Sequence, residues 1–287
     1  MVKRSLPEND KHPEPVTKPA LVENGETVKI YFLPNFLTAG NLACGFFALT
    51  WIFHYDATTG DFEPIRSAIY LILLAFACDF LDGRLARLAR KESRFGREFD
   101  SLADIVSFGV APAFLVYRIV LQDFHRTGWL IAAIYLVCGG IRLARFNVLS
   151  QFGTEKDSKE FIGFPIPSAA ALVVSVTLFI VWMQESERTL GAWRFSLPFL
   201  MMLLSILMVS NVRYPTFKYI DWTPARSVAA FAVGVVIVLL LALNFQVGLA
   251  VLFVAYLLYG LVRPWLSKRW RREIESDEED DEDVGGG

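Results

Sequence analysis

Apolar residues in this chain run in long unbroken blocks, without the three-to-four-residue spacing of a soluble amphipathic helix. Eight blocks cover residues 30–53, 66–86, 99–121, 128–149, 163–184, 195–211, 225–243 and 245–265. Each is close to the ~20 residues that carry an α-helix across ~30 Å of hydrocarbon. Within a bilayer each backbone N–H and C=O must find its partner inside the structure. Segments this long and evenly apolar therefore predict helices, not barrel strands. Only a few residues around Asn244–Gln246 separate the last two blocks, which predicts a tight helical hairpin. The expected fold is an all-α integral membrane protein, a bundle of about eight transmembrane helices, with no internal repeat.

The polar segments set the organisation. Residues 1–29 are polar and Pro-rich and carry no signal-peptide core, so the first apolar helix is the expected targeting element. They read as a disordered cytoplasmic N-terminus, residues 30–265 as the transmembrane catalytic domain, and residues 266–287 as a basic-then-acidic disordered cytoplasmic tail. In that tail, Lys268–Arg272 suits anionic headgroups, and the carboxylate run Asp277–Asp283 suits a solvated end. Of the 28 Lys and Arg residues, 23 fall in the termini and alternate connections of one side and 4 in those of the other. This imbalance predicts both termini in the cytoplasm and an even number of spans through the cell (inner) membrane. The net charge of −2 adds nothing to that distribution, and nucleic acid is not an expected partner. Cys44, Cys78 and Cys138 lie far apart in apolar stretches without metal-ligand spacing, and read as free thiols.

Ionisable residues in or at the rim of a span are costly, and so mark function by default. The second block runs Leu71-Ile-Leu-Leu-Ala-Phe-Ala-Cys-Asp79-Phe-Leu-Asp82-Gly83-Arg84-Leu-Ala86-Arg87. At helical spacing, positions 79, 82, 83, 86 and 87 share a face that carries two carboxylates, two small residues and an arginine. The third block opens Gly96-Arg-Glu-Phe-Asp100-Ser-Leu-Ala-Asp104, with Asp100 and Asp104 one turn apart. If the two helices are antiparallel neighbours, four carboxylates converge near the cytoplasmic rim. Such a group needs divalent cations, or some members must hold protons. Oxygen-only ligation suits Mg²⁺, Mn²⁺ or Ca²⁺ and argues against zinc. Two such ions suit the cleavage of a diphosphate, with one carboxylate taking a proton from the attacking hydroxyl. Gly83 and Ala86 leave room for a nucleotide against the helix, and Arg87 is placed to pair with a phosphate. Neutralisation by neighbouring arginines is the plainer account of the aspartates. It fits poorly with four of them in register and small residues between. The histidines are poor bases, since His12 lies in the tail and His54 and His125 on the opposite side.

The spacing Asp79-x2-Asp82-Gly83-x2-Ala86-Arg87-x8-Gly96-x3-Asp100-x3-Asp104 matches every fixed position of the CDP-alcohol phosphatidyltransferase motif. The chain resembles that superfamily over roughly residues 30–260. The resemblance implies Asp79, Asp82 and Asp100 as metal ligands, and Asp104 as ligand and proton acceptor. It also implies Gly83, Arg87 and Ser93 as contacts of the CDP moiety, with Ala86, Gly96, Thr38 and Asn41 beside them. Mg²⁺ or Mn²⁺ as a pair of ions, a homodimer, and six core helices with two added at the C-terminus complete the expectation.

Ile141-Arg-Leu-Ala-Arg-Phe-Asn147, Phe161-Ile-Gly-Phe-Pro-Ile-Pro-Ser168 and Ser210-Asn-Val-Arg-Tyr-Pro-Thr-Phe-Lys218 look like the phosphatidylserine synthase branch, as does Leu33-Pro-Asn-Phe-Leu-Thr38…Asn41. That branch implies CDP-diacylglycerol and L-serine as substrates. A serine carboxylate calls for a cation, and Arg142, Arg145, Asn147 and Arg213 stand at helix ends on the tetrad's side. They serve equally as positive-inside residues that hold topology. Pro165 and Pro167 are expected to shape a helix entry. The rival acceptors are glycerol 3-phosphate, inositol phosphate and choline, and an ether lipid could replace diacylglycerol. From another class, a cation-coupled transporter would place its charges near the midplane in broken helices. A non-catalytic descendant would have lost one of the aspartates, and none is lost.

Overall fold

A computed structural model describes residues 32–56, 58–88, 94–151, 160–185, 195–215 and 244–262. The first two apolar blocks form α1 (Phe32–His54) and α2 (Glu63–Leu88). Asp61 starts α2 by accepting the Glu63 N–H at 2.9 Å, and Pro64 in the first turn needs no N–H partner.

The third block is not one regular helix. It runs as α3 (Arg94–Asp104), a six-residue π-helical segment (Ile105–Val110) and α4 (Ala111–Ile119). Pro112 supplies a local reason. Without an N–H it cannot bond the Phe108 carbonyl one turn back. The hydroxyl of fully buried Tyr135 donates to that carbonyl at 3.2 Å instead, while the Ala111 N–H reaches back to the Val106 carbonyl. π-Bulges of this kind concentrate at functional sites.

A 3₁₀ turn (Leu121–Phe124) leads into α5 (His125–Gln151), followed by α6 (Ile166–Glu185), α7 (Ser196–Val209) and α8 (Phe245–Val262). Among the described residues six helical stretches are long and apolar enough to cross a membrane, with α3 through α4 counting as one. The protein is a multi-pass membrane protein of helical-bundle architecture. α7 has 14 residues, about 21 Å of helix, and falls short of a full span. The expected span 225–243 lies outside the described residues.

One pairing went unannounced by the apolar pattern. β1 (Glu160–Ile162) and β2 (Arg213–Pro215) form a short antiparallel ribbon, Phe161 opposite Tyr214. It ties the segment before α6 to the segment after α7. Gly163 leaves the ribbon at φ +80°, and a side chain there would stand 2.6 Å from the Met208 carbonyl. Glycine is required on both counts. Pro165 and Pro167 flank the first residue of α6, as expected of a helix entry.

α6 is the central helix, with 67% of its span window buried against 28% for α1, α2 and α5. Ile65, Ile69, Ile72, Leu115, Val174 and Leu178 knit α2, α4 and α6 in one cluster. Phe108, Tyr135, Phe164, Leu172, Met201 and Leu204 belong to a second, larger cluster that runs along the bundle. The exposed Phe36, Phe46, Phe47, Phe53 and Phe199 form an apolar exterior of the kind lipid covers.

Candidate active site

α1 is the element against which the site is assembled, since it packs along α2, α3 and the π segment. From α2 come Asp79 and Asp82, from α3 Asp100. Each offers a carboxylate oxygen, and these oxygens lie within 4.8 Å of one another. Asp104, the last residue of α3, is near all three electrostatically but is not one of that close set. Asp82 and Asp104 are buried, at 5% and 6% exposure. Two helices thus deliver four carboxylates to one place, and a third helix governs two of them. Thr38 Oγ1 donates to Asp82 Oδ2 at 3.0 Å, and Asn41 Nδ2 donates to Asp104 Oδ1 at 3.2 Å.

Asn41 is itself held. Ser107 Oγ, in the π segment, donates to its backbone carbonyl at 2.9 Å. The approach is close because residue 45 is glycine: a Cβ there would stand 2.9 Å from Ser107 Cα. Gly83 differs. Among the described residues a Cβ added to it meets nothing within 4 Å, which leaves room on that side of α2 for a ligand. Gly96 lies half-buried at the start of α3, and Ala86 and Arg87 continue the α2 backbone, while Ser93 lies outside the described residues.

Of the four residues singled out for the acceptor, the three on α5 make different contacts. Asn147 Nδ2 donates to Ser101 Oγ at 2.7 Å, which brings it beside Asp100. Arg145 donates to Asn211 Oδ1 at 2.8 Å and so braces α5 against the segment after α7. Arg142 is buried, with its guanidinium 5.2 Å from the centre of the Phe146 ring. Arg213 belongs to the β2 backbone opposite Ile162.

Sequence reasoning passed over Ser101, Ser107 and Gly45. A usable signal existed for Ser107, which follows Asp104 by three residues and so shares its helical face. A cavity of about 300 Å³ opens elsewhere, among Glu63, Arg66, Tyr70, Leu178, Trp182 and Gln246. It lies toward the other end of α2, where Glu63 is some 24 Å along the helix from Asp79, and none of the four aspartates lines it.

Residues 31–208 match the family profile described as CDP-alcohol phosphatidyltransferase. The chain belongs to the CDP-alcohol phosphatidyltransferase family. All four aspartates fall inside the matched stretch, and α8 lies beyond it. Among curated members, the CDP-diacylglycerol–serine O-phosphatidyltransferase of Helicobacter pylori (strain 26695) is 36% identical over 237 residues, 83% of this chain and 92% of that protein. The Bacillus subtilis protein of the same name is 34% identical over 65% of this chain and 92% of its own length. An archaetidylserine synthase of Methanothermobacter thermautotrophicus is 36% identical over 64% of this chain and 69% of its own.

Proposed function

We propose that this chain transfers the phosphatidyl group of CDP-diacylglycerol to the hydroxyl of L-serine, giving phosphatidylserine and CMP. The convergence of Asp79, Asp82 and Asp100 within 4.8 Å, with Asp104 beside them, carries the chemistry. Similarity to relatives named for serine supports the acceptor.

The donor set fits a hard divalent cation. It is all oxygen, and beside it the buried Asn41 Oδ1 has no hydrogen-bond partner among the described residues. Mg²⁺ or Mn²⁺, in our reading a pair of ions, would be held by Asp79, Asp82 and Asp100 with Asp104 alongside. Bound there, the metal would polarise the diphosphate and offset the charge that leaves with CMP.

The remaining work belongs to the chain. Asp104 receives the proton of the serine hydroxyl. Its Oδ1 is engaged by Asn41, which directs the proton to Oδ2. The serine oxygen bonds to the lipid-side phosphorus as the bond to the bridging oxygen breaks, and CMP departs with that electron pair. Thr38 holds Asp82 in place, while Gly83, Ala86, Arg87, Ser93 and Gly96 border the nucleotide. Arg142, Arg145, Asn147 and Arg213 are our candidates for the serine side. The distribution of Lys and Arg supports a cell-membrane orientation with both termini and the site facing the cytoplasm. We further take the active unit to be a homodimer.

The test is CMP release by purified protein in detergent with CDP-diacylglycerol and Mn²⁺, one acceptor at a time. Release with serine is expected. Release only with glycerol 3-phosphate, inositol phosphate or choline would overturn the acceptor. No release with any acceptor would overturn the enzymatic reading.

A further inference from the structure

We infer that the cavity toward the other end of α2 is a binding site for a phospholipid, its phosphodiester seated against Arg66 and a tail lying along α2. The lipid belongs to the leaflet at the rim opposite the aspartates. The site is independent of the reaction assigned above.

Three helices meet there. α2 brings Glu63, Arg66 and Tyr70 from its first turns, α6 brings Leu178 and Trp182 from its last, and α8 brings its second residue, Gln246. Each of these helices is long and apolar enough to cross a membrane, so their shared ends mark the depth at which lipid headgroups lie. Tyrosine and tryptophan at that depth are the residues a membrane–water interface favours. The volume of about 300 Å³ is enough for a small polar group.

The lining decides the charge of the ligand. Arg66, Tyr70, Trp182 and Gln246 each carry an N–H or O–H donor, and the one carboxylate among the lining residues, that of Glu63, is ion-paired with Arg66. That pair holds the guanidinium at the cavity wall without exhausting it, because five N–H donors can serve a carboxylate and a phosphate together. Arg66 and Tyr70 stand four residues apart and share one face of α2. α2 and α8 present N-terminal turns at this rim, against one C-terminal turn from α6, and helix N-termini favour anions. An anion with several acceptor oxygens fits this set.

The surface beside the cavity makes that anion part of an amphiphile. Tyr70 lines the cavity and is 48% exposed, while Leu74 and Leu81 follow it on the same face of α2 at 51% and 50%. The stripe runs about 16 Å along the helix, and a lipid tail would cover it. A free phosphate would leave it bare. Leu178, buried to 1% exposure, supplies an apolar wall from α6. The bound lipid would fasten the first turn of α8 to α2, whose Phe76 meets Phe253 of α8 edge-on at 6.4 Å deeper in the bundle.

The experiment follows thermal unfolding of delipidated full-length protein in detergent, for wild type, R66Q, Y70F and Q246A. The probes are dioleoylphosphatidylglycerol, whose phosphodiester is its only charged group, dioleoylglycerol, which lacks it, and inorganic phosphate. Phosphatidylglycerol should raise the wild-type Tm to a plateau, and the other two should not. R66Q should raise the half-saturating lipid concentration about tenfold to a hundredfold, as loss of a charged hydrogen bond predicts. Q246A and Y70F should raise it roughly threefold to tenfold, as for a neutral one. A half-saturating concentration unchanged in both R66Q and Q246A overturns the site. Equal protection of the wild type by dioleoylglycerol overturns the role of the phosphodiester, and equal protection by inorganic phosphate overturns the lipid as its source. Should R66Q fail to fold, Q246A tests the same cavity from α8.

Discussion

Replacing Gly45 by alanine tests the link between helix packing and the catalytic base. Gly45 lies one turn beyond Asn41 on α1, and the added Cβ would stand 2.9 Å from Ser107 Cα and nearer still to Ser107 Oγ. Carbon atoms rest at about 3.5–4.0 Å, so α1 and the π segment must part by roughly 0.6–1 Å. Asn41 Nδ2 already lies 3.2 Å from Asp104 Oδ1, and a displacement of that size takes the pair out of hydrogen-bond range. Overpacking costs about 1–3 kcal/mol, offset by about 0.8–1 kcal/mol for alanine over glycine inside a helix. The net loss of stability is then up to ~2 kcal/mol. Activity should suffer more, because ångström-scale misplacement of a reacting group costs on the order of 10²-fold. Gly40→Ala is the control on the same helix: its Cβ would meet Cys78 Sγ at 3.7 Å, an ordinary contact. CMP release and thermal unfolding of the two variants in detergent read both effects. G45A is expected to be about 10²-fold slower than wild type and G40A within twofold of it. A G45A protein as active as G40A would refute the claim that the approach of α1 to the π segment holds Asp104.

Asp104→Asn should lower kcat by about 10²–10⁴-fold while nucleotide binding, measured by CDP titration, persists; near-wild-type turnover would exclude Asp104 as the base. Chelation with EDTA should abolish CMP release, and Asp79→Asn or Asp100→Asn should raise the Mn²⁺ concentration needed for half-maximal rate, whereas an unchanged metal dependence would remove these carboxylates from the ion site. The thiols of Cys44 on α1 and Cys78 on α2 are hydrogen-bonded to each other. Mild oxidation should therefore give a Cys44–Cys78 disulfide by peptide mass spectrometry, with none to Cys138, and failure to cross-link would count against the α1–α2 packing. Tyr135→Phe leaves the Phe108 carbonyl without its donor and should cost about 1–3 kcal/mol in thermal or denaturant unfolding, while no loss would show that the π segment satisfies that carbonyl by other means.

The aspartate group of the candidate site is legible in the sequence. The Asp79, Asp82, Asp100 and Asp104 spacing depends only on helical periodicity and on the cost of charge in a bilayer, both of which are local. Gly83 shares that face, but whether a glycine's space stays open depends on what packs there, as the contrast with Gly45 shows. The acceptor side is not legible in this way. Arg142, Arg145, Asn147 and Arg213 look alike as basic or polar residues at helix ends, yet Arg142, Arg145 and Asn147 make different contacts. Those of Arg145 and Asn147 depend on how α5 is turned against α3 and the segment after α7, which no single segment encodes.

Length and evenness of the apolar blocks determined by themselves that this is a multi-pass helical membrane protein, because hydrocarbon admits few other ways to satisfy the backbone. Tertiary structure alone decided the rest. It showed the third span broken into a π segment after Asp104, with Pro112 unable to bond the Phe108 carbonyl and a residue 27 positions away donating to it. It gave α1 its hold on the aspartates through Thr38 and Asn41. Above all it separated Asp104 from the three closely grouped carboxylates. Periodicity sets which residues share a face, but the distance between faces is set by the side chains that meet there, and here by the missing side chain of Gly45.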